Sequence, residues 1–168
     1  MVDYETYGQA VDVKRNPAKL EGGITELVGI NEQIDQNDYS GSVGVALTET
    51  TSGLIEYFNF YATEAGTGAI QDSAGKLIIF DGDPSVTSGD TALSAAAWAK
   101  VLGIVDVQAA DWVVDTGGGM AAVADQPIPF HSLATLYFSW KHLDATALND
   151  GAGDDEKLEF NFWYTPCN

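Results

Sequence analysis

Basic side chains are scarce in this chain: seven Lys and Arg stand against twenty-five Asp and Glu, a formal charge of −18 over 168 residues. A surface of that sign repels the phosphate backbone of nucleic acids and the anionic face of membranes, so neither is an expected partner. Cysteine is nearly absent. The one present, Cys167, excludes an internal disulfide framework and an all-cysteine zinc site. It has no basic neighbour in sequence to activate it, and reads as an incidental thiol. No run approaches the ~20 uninterrupted apolar residues of a membrane helix. Met1-Val2-Asp3-Tyr4-Glu5 carries acids where a secretory signal carries positive charge, so no N-terminal export signal is expected.

Catalytic signatures are equally thin. The two histidines, His131 and His142, are eleven residues apart near the ends of one expected strand, too far to share a site. Neither lies near a Gly-x-Ser-x-Gly elbow, and Gly117-Gly118-Gly119 runs into Met120 with no phosphate-binding lysine. With so many acids, a pair at glycosidase spacing arises by chance and carries little weight. The expectation is a protein that is not an enzyme and needs no cofactor. Two acidic clusters have oxygen ligands suited to calcium: Asp81-Gly82-Asp83, and the stretch holding Asp150, Asp154 and Asp155. Neither has EF-hand spacing, and solvated acidic loops on an acidic protein are the better account of both, so no metal site is expected.

What is present is apolar material for a core, 45% of residues, arranged in short runs between polar, Gly-rich loops. Residues 1–20 sum to zero charge, with Lys14, Arg15 and Lys19 balancing three acids. Residues 21–168 carry the whole −18. Asn16-Pro17 and Glu21-Gly22-Gly23 punctuate this leader, which reads as an extended arm over residues 1–23 ahead of one domain, 24–168. Strands are predicted over Ile24–Ile30, Ser42–Thr48, Gly53–Thr63 and Lys76–Phe80, with a polar turn region over Asn31–Gly41. A hairpin is predicted from Asp111–Asp115 and Met120–Ala124. Thr91–Leu102, Ala-rich behind Ser88-Gly89-Asp90 and stopped by Gly103, predicts the one helix. Leu133–Lys141 and Lys157–Tyr164 alternate most clearly. About eight strands with irregular connections predict an all-β sandwich of jelly-roll type.

Trp163 and Tyr137 fall on the polar registers of the last two strands, and Tyr57 and Tyr61 on a strand that is aromatic on both faces. Exposed aromatics on a sheet face mark an oligomer or partner contact; a strand or arm folded over them would leave the same pattern.

The stretch Asp125-Gln126-Pro127-Ile128-Pro129-Phe130-His131, the strand Leu136-Tyr137-Phe138-Ser139-Trp140, the loop Asn149 to Glu156 and the closing Phe160-Asn161-Phe162-Trp163-Tyr164-Thr165-Pro166 together resemble virion structural proteins of tailed bacteriophages, nearest the capsid decoration, or cement, type. The resemblance implies a small jelly-roll protein, a dimer or trimer, that binds the outer surface of an icosahedral capsid. There it would bridge major capsid subunits after assembly in the bacterial cytoplasm. Lys14, Arg15 and Lys19 would then lie along the acidic capsid. The alternative is a carbohydrate- or ligand-binding sandwich of a tail or fibre, stacking sugars on Trp163 and Tyr137 with an acidic loop for calcium.

Overall fold

Alternation of Leu158, Phe160, Phe162 and Tyr164 with Lys157, Glu159, Asn161 and Trp163 places one apolar face per strand, and burial follows it: the first four side chains are buried and Trp163 is half-buried. The computed structural model describes residues 19–29, 32–64, 74–115, 118–124, 127–145, 147–148 and 156–167. Its elements are β1 (Lys19–Val28), β2 (Val43–Glu64), β3 (Gly75–Phe80), α1 (Ala95–Trp98), β4 (Val101–Val107), a 3-10 turn (Ala109–Asp111), β5 (Trp112–Asp115), β6 (Gly118–Val123), β7 (Ile128–His142) and β8 (Glu156–Pro166).

The fold is all-β and sandwich-like, built from one antiparallel sheet of eight strands. The main order is β1-β8-β2-β7-β3-β4, with β6 on β2 and β5 on β6. The layering comes from β2. Its first part pairs with β7, whereas its second part pairs with β8 on one edge and β6 on the other. Register shifts between Ala46 and Thr51, and again between Thr51 and Gly53, mark the corner where the strand turns. The sheet thereby folds over itself. Phe138 of β7 meets Phe160 and Phe162 of β8 at ring-centroid distances of 4.7 and 5.2 Å, and Trp140 meets Phe60 at 5.7 Å. Each such ring, fully withdrawn from water, contributes roughly 1.5–3 kcal/mol of transfer free energy.

A smaller apolar cluster covers the other side of β3, where Ile78 and Phe80 pack with Tyr39, Val86, Leu93 and Ala97. The segment after β1 is tied down by polar bonds. Ser40 Oγ accepts from Trp140 N–H at 2.9 Å, and Ser139 Oγ donates to Ser40 O at 2.8 Å.

Four expectations need correction. The predicted helix Thr91–Leu102 is a single turn, Ala95–Trp98, because Val101 onward pairs with β3 as β4. Ser42–Thr48 and Gly53–Thr63 are one bent strand, since the polar residues between them form its corner. The first strand begins at Lys19, inside the stretch read as arm, because Lys19–Glu21 pair with Tyr164–Phe162. The region read as a polar turn, Asn31–Gly41, buries Ile34 and Tyr39, each bridged to another segment.

Candidate binding face

The outer side of the layer made by β1, β8, the second part of β2, β6 and β5 displays the polar register of each strand. Antiparallel pairing sets those residues in rows about 7 Å apart, two residues of rise along each strand. The first row pairs Trp163 with Tyr57 across β8 and β2. In the second, Asn161 faces Asn59, which faces Ala122 of β6. The third runs Glu159, Tyr61, Met120, Val113. Val113 is 73% exposed and Met120 45%, so the apolar end of this row is open to water.

Within the face the contacts are specific. The Tyr57 and Trp163 rings lie 5.3 Å apart and are tilted by 57°. Asn59 Nδ2 and Asn161 Nδ2 both donate to Tyr61 Oη, each at 3.3 Å. Asn161 is only 6% exposed. The Oδ1 atoms of Asn59 and Asn161 are buried without a hydrogen-bond partner among the described residues. Turning one amide over gives the single Tyr61 hydroxyl proton an acceptor and leaves the other amide oxygen unmet. A buried acceptor left so costs roughly 1–3 kcal/mol.

Among the described residues, charged side chains flank the aromatic and amide rows. Glu56, at the register shift between Ile55 and Tyr57, accepts from Thr165 Oγ1 at 2.6 Å. Lys157 binds Glu159 at 2.6 Å and Glu26 at 3.5 Å. The hydrogen bond that Lys157 donates to Glu159 is the largest effect raising its ammonium above the ordinary 10.5; burial opposes it, and the charge of Glu159 with the bond and charge of Glu26 add to the rise.

Of the four aromatic residues singled out in the sequence, this face gathers Tyr57, Tyr61 and Trp163. Tyr137 is elsewhere: it pairs with Gly44 and Phe80 in the other layer and packs against the smaller cluster. Asn59, Asn161, Met120 and Val113 were not singled out. Only the register, which sets the two amides opposite each other, reveals them. Of the basic residues, Lys19 opens β1 opposite Tyr164, while Lys14 and Arg15 lie outside the described residues.

Asp150, Asp154 and Asp155 also lie outside the described residues. Asp83 Oδ1 accepts from Ser85 N–H at 2.8 Å and steadies Ser85 in a left-handed conformation, φ 54°. Its backbone carbonyl accepts from Lys100 Nζ, and Asp81 N–H donates to Lys100 O. Asp81 and Asp83 thus belong to a turn held by a cation, and no group of three or more metal-ligating side chains occurs among the described residues. His131 and His142 stand near opposite ends of β7. His131 Nδ1 shares a hydrogen bond with Ser52 Oγ at 2.9 Å, and Ser132 N–H donates to the same oxygen at 2.9 Å, so the serine is occupied in fastening the β2 corner to β7.

No helix among the described residues is long and apolar enough to cross a membrane. No protein-family model matches the chain, and neither does any curated protein.

Proposed function

We propose that this chain is a virion structural protein of the capsid-decoration type, which binds the outside of an assembled icosahedral shell and bridges major capsid subunits. One observation carries the reading. On a body of net charge −18, the centre of the outer face, made by Trp163, Tyr57, Tyr61, Asn59 and Asn161, is aromatic and uncharged, and charged side chains flank it. Protein contacts are enriched in aromatics and depleted of acids at their centres, and this patch has that composition. Like charge elsewhere disfavours indiscriminate association and keeps decorated particles apart. A ligand that binds only the assembled shell stabilises it by mass action, and many weak contacts on one particle reinforce each other.

The sugar-binding alternative is less well supported. Its two stacking residues, Trp163 and Tyr137, stand in different layers. The test is quantitative protein mass spectrometry of purified particles from the virus that encodes the chain. A copy number comparable to the major shell subunit is expected; absence from particles sinks the reading.

A further inference from the structure

The outer face presents acceptors and π-surfaces together, and this combination restricts what it takes. Among the described residues, Asn59 Oδ1 and Asn161 Oδ1 lack donors, although Asn161 is 94% withdrawn from solvent. Beside them the Tyr57 and Trp163 rings stand half-exposed, with no cation assigned to either among the described residues. Elsewhere the same chain does use such a ring: Lys141 Nζ sits 4.9 Å from the centroid of Tyr39. The rim adds Glu56 next to Tyr57, and Glu26 with Glu159 sharing a single lysine.

Each feature asks for the same chemistry. Amide oxygens without donors call for a group rich in N–H. Aromatic faces beside carboxylates call for a positive charge, and a planar one stacks best. An anionic polymer is repelled by the body, and a neutral hydroxyl ligand leaves the carboxylate rim unused.

We propose that this face is a receptor for a basic, arginine-bearing peptide segment of a partner protein. The guanidinium lies against Trp163 and Tyr57, its charge faces Glu56, and its N–H groups meet the Asn59–Asn161 pair. Entry to the amides requires Tyr61 to swing aside, and its phenol is held there by two bonds of 3.3 Å. The inference deepens the shell-binding reading by naming the chemistry of the partner, but its test is independent of any particle.

The full chain is titrated with a short acetylated peptide alternating glycine and arginine, followed by tryptophan fluorescence and calorimetry. A matching peptide carries citrulline in place of arginine. Saturable binding is expected, with citrulline weakening it at least about tenfold. Trp163→Ala and Tyr57→Ala leave net charge unchanged, so each separates this face from diffuse attraction to −18. Each is expected to weaken binding by about tenfold, and Glu56→Gln by several-fold. Circular dichroism checks folding; if Trp163→Ala does not fold, Tyr57→Ala and Glu56→Gln carry the test.

Absence of saturable binding overturns the proposal. So does binding that both aromatic variants leave intact, since the peptide is then drawn only by overall charge. A neutral oligosaccharide that binds here when the peptide does not, or a dimer of the chain abolished by Trp163→Ala without peptide binding, assigns the face to another occupant. Peptide binding by a chain absent from particles would overturn the shell reading and leave this one standing.

Discussion

A β-carbon added at Gly75 would come within 2.6 Å of Lys141 O and closer still to the Trp140 ring. Trp140 is fully buried, and the backbone of β7 cannot yield without disturbing its pairing with β3. Gly75→Ala is therefore expected to lower stability by about 2 kcal/mol in urea denaturation. Gly82→Ala, whose added carbon meets nothing nearer than Lys100 Cδ at 3.8 Å, should stay within about 0.5 kcal/mol. Equal effects would show that β7 relaxes freely around Trp140. The same scale decides what could be read of the face. Trp163 was legible because an aromatic on a polar register is conspicuous. Asn161, also on that register, looked ordinary: a polar residue there signals solvent unless its cross-strand partner is known. Tyr137 occupied a matching position, and only the packing of another segment against it separates the two.

Ser94 caps α1 by accepting from Ala97 N–H at 3.1 Å, and Ala97 is part of the smaller cluster on β3. Ser94→Ala is expected to cost about 1 kcal/mol and to speed hydrogen exchange in the residues of α1. An unchanged exchange rate would mean that packing alone holds the turn. The helix was visible in the sequence but too long. Its alanines and cap favour a first turn, whereas Val101 to Val107 gain a β-ladder with β3 that local propensity does not register. The strands around the face were legible for the converse reason: β8 alternates without interruption. The bend in β2 was not, because Glu49 to Ser52 read as a loop while the backbone there remains extended and turns a corner within the strand.

At the scale of the molecule, composition and the count of short apolar runs were enough for an all-β body, but the folding of one sheet upon itself depends on where β2 bends. The −18 charge sets a further expectation. Self-repulsion weakens as the screening length shrinks from about 30 Å at 0.01 M salt to about 3 Å at 1 M. The thermal midpoint should rise over that range of sodium chloride, and a falling midpoint would show that attractive pairs such as Lys76–Asp106 outweigh the excess of acids. The pairing of Lys19 with Tyr164 has a mechanical corollary. The first and last strands of the described fold lie side by side and run in opposite directions, so a pull between Lys19 and Pro166 loads their hydrogen bonds one after another, as a zipper is opened. The molecule should yield at low force when stretched by those two points. It should resist far better when tension enters across β8 and the middle of β2, where many pairs must shear at once.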